Sequence, residues 1–400
     1  MKQTAQWLVV TGVFLVSHVE LGLLLLAVLL LVTQYRSVFP PKLLLVLIPV
    51  WLLSLTATWL VDYAFGKPVQ QILLLTAFIL LYEQFFRFNR LNLLSLFRKY
   101  IYLTYIICLI GLFQELVFMA TGTNIIEYLP SYHSTRLVGA SLMRITSTLA
   151  EGGNLGIAIM PALVYLFIYR DPWQILGRRK WVVLLVALLT FSPFVFIFCV
   201  VAVFWHLNRL FGRYKTLTGA LVAVVVLIGV VSLDPFGGGY KSELGIWDRI
   251  GDSYTAVARM GNSRLNTVVS KSRTPSSTVL ATHMYVGLHA PSRLFGTGIG
   301  THPQSYAALV HAKYRKTDMN LNVDDGYALF NRILSEFGFV GLLLYVVFLI
   351  RFFNKDNMIN VCFLSMMLCL FLRGGNYVLY GTVFAHFFYG YTARFKLSAT

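Results

Sequence analysis

Ten apolar runs dominate the chain, at residues 6–33, 42–62, 69–86, 100–120, 152–169, 181–206, 217–233, 328–350, 357–372 and 375–392. A run of about 20 apolar residues is long enough to cross hydrocarbon as a helix. A soluble chain of 400 residues has no core that could hide ten of them. With 58% hydrophobic and 12% charged residues, too little polar surface remains to cover a soluble globule. The runs are rich in Leu and lack the alternation of outer-membrane strands, which favours helices over a barrel. The fold class expected is an all-α polytopic membrane protein.

Basic residues between the runs set the orientation. Arg36 and Lys42; Arg87, Arg90, Arg98 and Lys99; Arg170, Arg178, Arg179 and Lys180; Arg209, Arg213 and Lys215; Arg351 and Lys355; and Arg394 and Lys396 form six clusters. If all six are cytoplasmic, the connections at 63–68, 121–150, 234–327 and 373–375 lie outside. Run 181–206 then has basic flanks on both sides and must leave and return to the same face, with Ser192-Pro193 as the break. Its halves are too short for two ideal spans, so they form a tilted or re-entrant pair. Run 6–33, interrupted by His18 and Glu20, poses the same question. The count is therefore 10 to 12 transmembrane or re-entrant helices, with 12 if both runs split. Residues 1–233 form an N-terminal transmembrane bundle, 234–327 one large external loop containing short helices, and 328–400 the C-terminal transmembrane helices.

The net charge of +17 reads as orientation signal and contact with membrane lipids. No nucleic acid is expected as partner, because no basic, aromatic-interleaved soluble domain exists to carry it. Cys108, Cys199, Cys362 and Cys369 all lie in apolar runs, so neither a disulfide framework nor a metal site follows. The N-terminal run lacks a small-residue cleavage site and reads as a retained helix.

Chemistry is expected outside the membrane. The external connection 121–150 leads into R-I-T-S-T-L-A-E-G-G-N, Arg144 to Asn154. On a helix, Arg144 and Glu151 would share a face two turns apart. A charged pair beside Gly152-Gly153 is costly in a membrane unless it pairs internally or lines a wet cavity; the bland alternative is a structural ion pair or a snorkelling Arg. The long loop carries Arg249, Arg259, Arg264 and Arg293. Each alone is a solvated charge, but four guanidinium forks suit phosphate oxygens. Its G-T-G-I-G stretch, Gly296 to Gly300, lacks the strand and helix of a nucleotide fingerprint. A tight turn against another element or a phosphate fits better. His289 and His302 have no partners at zinc spacing. Glu336, at the return to the membrane, reads as an interfacial acid or a site residue.

These pieces, in this order, resemble the O-antigen polymerase and ligase superfamily of bacterial membrane glycosyltransferases. The matching features are Arg144 followed by Glu151 and Asn154; a long external loop with Arg264 after a Gly/Ser turn; Gly296, Gly298 and Gly300 before Tyr306; and Leu334, Glu336, Gly338 and Gly341 as an L-x-E-x-G-x-x-G return. The ligase branch carries a His-Asn-like motif before that return, where this chain has Asp324-Asp325-Gly326-Tyr327. The departure favours a polymerase.

The resemblance implies an enzyme of the bacterial inner membrane with its long loop on the periplasmic side. It is a metal-independent, cofactor-free, GT-C-like glycosyltransferase that moves a glycan from a polyprenyl diphosphate to an acceptor glycan hydroxyl, building an O-antigen-like polysaccharide or exopolysaccharide. Its partner is a polyprenyl-diphosphate-linked oligosaccharide, and a chain-length regulator stays open as a second. Arg144 and Arg264 are first choices for the diphosphate, with Arg249, Arg259 and Arg293 behind them. Glu151 or Asp325 is the acceptor base, Tyr254 and Tyr306 offer faces to sugar or lipid, and His289 is a further substrate contact. Three alternatives stand beside polymerisation: ligase-type transfer to another acceptor, a transporter or lipid flippase suggested by His18, Glu20 and Glu115, and a non-catalytic scaffold.

Overall fold

The computed structural model describes residues 1–15, 17–35, 41–125, 137–138, 142–149, 151–210, 275–310, 322–379 and 381–394. Arg249, Tyr254, Arg259, Arg264 and the run 217–233 lie outside the described residues. The described chain is helical apart from one small antiparallel pairing, Leu137 with Met143 and Val138 with Leu142.

The first apolar run is two helices, α1 (Lys2–Val13) and α2 (Ser17–Tyr35). They pack closely enough that a Cβ on Gly12 would lie 3.2 Å from the Cα of Glu20. Helix α3 spans Pro41–Leu60, α4 spans Gly66–Asn89, and a 3-10 turn links α4 to α5 (Leu93–Thr121). The run at 152–169 is broken into α6 (Gly152–Ala158), α7 (Met160–Leu163) and a π-helical turn Val164–Ile168. Run 181–206 splits where Ser192-Pro193 places it, into α8 (Lys180–Leu189) and α9 (Pro193–Leu210). Proline lacks an amide hydrogen and its ring clashes with the preceding turn, so it ends α8 and opens α9.

Then follow α10 (Pro275–His289) and α11 (His302–Leu309) from the long loop, α12 (Leu329–Arg351), α13 (Met358–Leu372) and α14 (Thr382–Thr392). Three stretches are long and apolar enough to cross a membrane, Leu43–Leu60, Gly66–Thr121 and Leu329–Arg351, among the described residues. The first is 18 residues, about 27 Å at about 1.5 Å per residue. Ser17–Thr33, Phe194–His206 and Met358–Leu372 are shorter apolar helices.

An aromatic core ties the two ends of the chain together. Phe363 of α13 stacks on Phe388 of α14 at 4.4 Å between ring centres, and Tyr100 of α5 meets Phe363 at 5.4 Å. Tyr82 and Phe86 of α4 lie against Phe384 and Phe387. Glu20, buried among these rings, accepts from the Tyr82 hydroxyl at 2.5 Å and from the Gly381 amide at 3.4 Å. A buried carboxyl so satisfied joins α2, α4 and the start of α14.

Candidate functional site

The site grows from a break in α12. Gly338 has φ 64 and ψ −164 inside what is otherwise one helix, a conformation essentially closed to residues with a Cβ. A break leaves amides and carbonyls unpaired on both sides, and in an apolar setting each must find a partner. The loop segment 293–298 supplies them. Phe339 and Val340 amides donate to the Arg293 and Leu294 carbonyls at 2.9 and 3.0 Å, while Thr297 and Gly298 amides donate to the Ser335 and Glu336 carbonyls at 3.1 and 2.9 Å.

This insertion explains the glycine stretch. Gly298 has φ 98, and a Cβ there would strike the Thr58 hydroxyl and the Ser54 carbonyl of α3. The Thr58 hydroxyl donates to the Thr297 carbonyl at 3.1 Å, and the Ile299 amide donates to Ser54 Oγ at 2.7 Å. The glycines thus let backbone pass between α3, the start of α4 and α12, the first of the two roles expected of them.

Beside the break, Arg332 and Glu336 form an ion pair at 3.0 Å with side chains 1% and 0% exposed. Taking two charges out of water costs several kcal/mol per ion unless other groups satisfy them. Here they do. Glu336 also accepts from Tyr377 Oη at 2.9 Å and from the His302 amide at 3.4 Å. Arg332 donates to the Gly375 carbonyl at 3.3 Å and to Gln71 Oε1 at 3.4 Å, with its guanidinium 4.3 Å from the Tyr377 ring centre. Glu336 is therefore an acid buried inside the protein.

His302 extends the network. Its Nδ1 lies 2.7 Å from Ser335 Oγ and its Nε2 2.8 Å from His283 Nδ1. Ser335 Oγ donates to the Arg332 carbonyl at 3.1 Å, so His302 Nδ1 carries the hydrogen toward Ser335 and its Nε2 accepts from His283. Burial first, then His283, Arg332 and Lys67, hold the His302 pKa well below the ordinary value. It is neutral at pH 7.

The more open half lies next to this block. Arg373 and Glu151 pair at 3.3 Å with side chains 19% and 36% exposed. The Arg373 guanidinium is 5.8 Å from the Tyr327 ring centre, and the Gly374 amide donates to the Tyr327 carbonyl at 2.9 Å. Gly326 and Tyr327 are both left-handed, φ 69 and 65, a strained conformation for tyrosine that points to a functional constraint. Asp325 accepts from the Tyr327 amide at 2.9 Å and from Asn322 Nδ2 at 3.1 Å. Burial raises its pKa above the ordinary aspartate value; those hydrogen bonds and Arg332 oppose the rise, and the Glu151 charge adds to it. Asp324, on the outer edge, pairs with Lys67.

Arg144 is not on a helix with Glu151, contrary to the shared-face expectation. Glu151 caps α6 with extended backbone at φ −141 and ψ 146, and residues 144–146 are non-helical. Gln114 and Glu115 of α5 fasten that strand by accepting from the Ser147 and Met143 amides at 2.9 and 3.0 Å. Arg144 Nε donates to the Thr190 carbonyl at the α8 break, 2.7 Å away. Arg144 still reaches the start of α6, where a Cβ added to Gly152 would lie 3.1 Å from Arg144 Cγ.

The other named residues divide. Tyr306 is 2% exposed and packs with Val286 and Val310 in a small core, its ring 5.3 Å from His283, so it has no open face for a sugar. His289 stacks on Tyr285 at 4.1 Å and bonds the Tyr285 carbonyl at 3.0 Å, at the end of α10. Arg293 is exposed and contributes its carbonyl to the α12 break. Sequence reasoning missed Arg373, Arg332, Lys67, Tyr377 and His283 as site residues. Arg332 and Glu336 carried a visible signal, opposite charges four apart at the start of an apolar run. Arg373 stands in the connection 373–375 that the charge pattern assigns to the outer side, where an arginine runs against the orientation rule.

The connections assigned to the outer side by charge thus converge. Ala64 and Gln304 exchange hydrogen bonds of 2.7 and 2.9 Å, and Lys67, Glu151, Asp325 and Arg373 gather around Tyr327 and Gly375. No family model, no curated protein and no solved structure matches the chain.

Proposed function

We propose that the chain is a membrane-embedded polysaccharide polymerase acting at the outer face of the bacterial inner membrane. One observation carries the reading. Three segments named by the resemblance, separated by up to about 190 residues, meet in one place: Glu151 beside Arg373, the glycine stretch inside the α12 break, and Glu336 bonded to His302. Physics asks glycan transfer from a diphosphate for cations at the leaving group, a base near the acceptor, and a groove open to lipid. Arg373 and Arg144 are the cations, with Arg264 as a third. Asp325, whose raised pKa makes it a better base than an ordinary aspartate, orients and deprotonates the acceptor hydroxyl.

In the step, the acceptor oxygen bonds to the anomeric carbon, the carbon–oxygen bond to the diphosphate breaks, and the diphosphate leaves with that electron pair. The acceptor proton passes to Asp325. Arg332, fully buried and spent on Glu336, Gln71 and Gly375, holds the scaffold. Two of the three charges that suggested a transporter have structural partners: Glu20 joins α2 to Tyr82 and Gly381, and Glu115 holds the Met143 amide.

Reconstituted vesicles supplied with polyprenyl-diphosphate-linked repeat units on the outer side test this. A ladder of lengthening chains is expected without added nucleotide or metal. Movement of the lipid-linked unit across the bilayer with no polymer formed would overturn it in favour of a flippase.

A further inference from the structure

The start of α8, at the other end of that helix from the Thr190 carbonyl held by Arg144, carries a second group of cations. A cavity of about 250 Å³ is lined by Leu166, Phe167, Arg170, Lys180, Trp181 and His206. Three apolar segments end around it: the π-helical turn Val164–Ile168, the start of α8 at Lys180, and α9 at His206. We propose that this cavity binds the phosphate of an anionic lipid headgroup.

The cations here are not neutralised. Among the described residues, neither Arg170 nor Lys180 forms an ion pair with a carboxylate. The acid next to Arg170 in the chain, Asp171, is 4% exposed and turned inward, accepting from the Ile175, Leu176 and Gly177 amides at 2.8, 3.1 and 2.9 Å. The turn that does this is left-handed at both Arg170 and Asp171, φ 66 and 53. It sends the acid into the protein and leaves the exposed Arg170 at the cavity.

Arg170 is also held in place. Its Nη2 donates to His206 Nδ1 at 3.0 Å, and His206 Nε2 donates to the Phe167 carbonyl at 2.7 Å. One guanidinium hydrogen is thereby fixed and the others remain for phosphate oxygens. Lys180 lies 5.9 Å from the Phe167 ring centre, and that ring packs edge-on to Trp181 at 5.5 Å. Trp181 is 59% exposed, as suits a ring at the headgroup level of a bilayer. Two positioned cations, an apolar floor and an interfacial indole describe a lipid phosphate better than a soluble one.

The proposal needs membrane insertion but not glycan transfer, so a failed polymerisation assay leaves it standing. The test is native mass spectrometry of the full chain in detergent, with phosphatidylglycerol and phosphatidylcholine added at equal concentration. Wild type is expected to retain phosphatidylglycerol preferentially. Arg170→Gln and Lys180→Gln should each lower that retention about fivefold, and Arg170→Lys should keep most of it. Lys355→Gln, at another exposed cation in a predicted cytoplasmic cluster, should change nothing. Unaltered retention in Arg170→Gln and Lys180→Gln overturns the proposal, as does an equal loss in Lys355→Gln. Binding of inorganic phosphate at this cavity, lost in the same variants while lipid retention stays unselective, also overturns it, assigning the site to a soluble anion. Lys180→Gln removes a partly exposed side chain, so the test survives if Arg170→Gln does not fold.

Discussion

Two ion pairs of the same chemistry sit side by side in the site, and they do different work. Arg332–Glu336 is sealed, with Tyr377, Gly375 and Gln71 completing its network inside the protein. Arg373–Glu151 is longer and partly open to solvent. A sealed pair cannot exchange partners without leaving a charge stranded, whereas an open pair can trade a carboxylate for a phosphate at little cost. The first builds the site, and under the proposed function the second is the one available to substrate.

The largest expected effect is at the sealed pair. Glu336→Ala strands Arg332 and should cost about 3–5 kcal/mol, read as loss of folded protein in thermal unfolding. Folded Glu336→Ala of normal stability would erase the distinction between the pairs. Next, Gly298→Ala places a methyl at φ 98 against Thr58 and Ser54. A cost of about 1–3 kcal/mol follows, and the same unfolding assay measures it.

The pH dependence sharpens the comparison further. His302 has a folded pKa well below 6.5, so its contribution is complete above that value. It is lost as pH falls from 6.5 toward the folded pKa, because the unfolded chain takes up a proton that the folded one refuses. Unfolding midpoints should drop across that window in wild type, and the drop should shrink in His302→Gln. Asp325 has the opposite sign. Its raised pKa means stability is fullest below 3.8 and declines as pH rises through the folded value. Asp325→Asn should therefore be more stable than wild type at neutral pH in thermal unfolding, while losing activity.

Legibility in the sequence followed range. Local devices were readable: the break before Pro193 and the glycine stretch as a close-approach turn depend on neighbouring residues, whereas the split of the first run, left open by the sequence, is decided by the structure. The partners across the fold were not. Nothing near Arg373 in the chain signals Glu151, 222 positions away, and nothing near Gly298 signals Thr58. Helix periodicity is also mute here, since runs that are apolar all round give no face from which to infer packing. Arg144 and Glu151 show the error this causes: spacing placed them on one helix, and the Gly152 helix start separates them.

The most direct test is polymer formation by folded Arg373→Ala. Removing a partly exposed cation should change stability by less than about 1 kcal/mol but reduce chain elongation about 100-fold, leaving unextended lipid-linked repeat units. Long chains at the wild-type rate from folded Arg373→Ala would contradict the assignment of this site to glycan transfer.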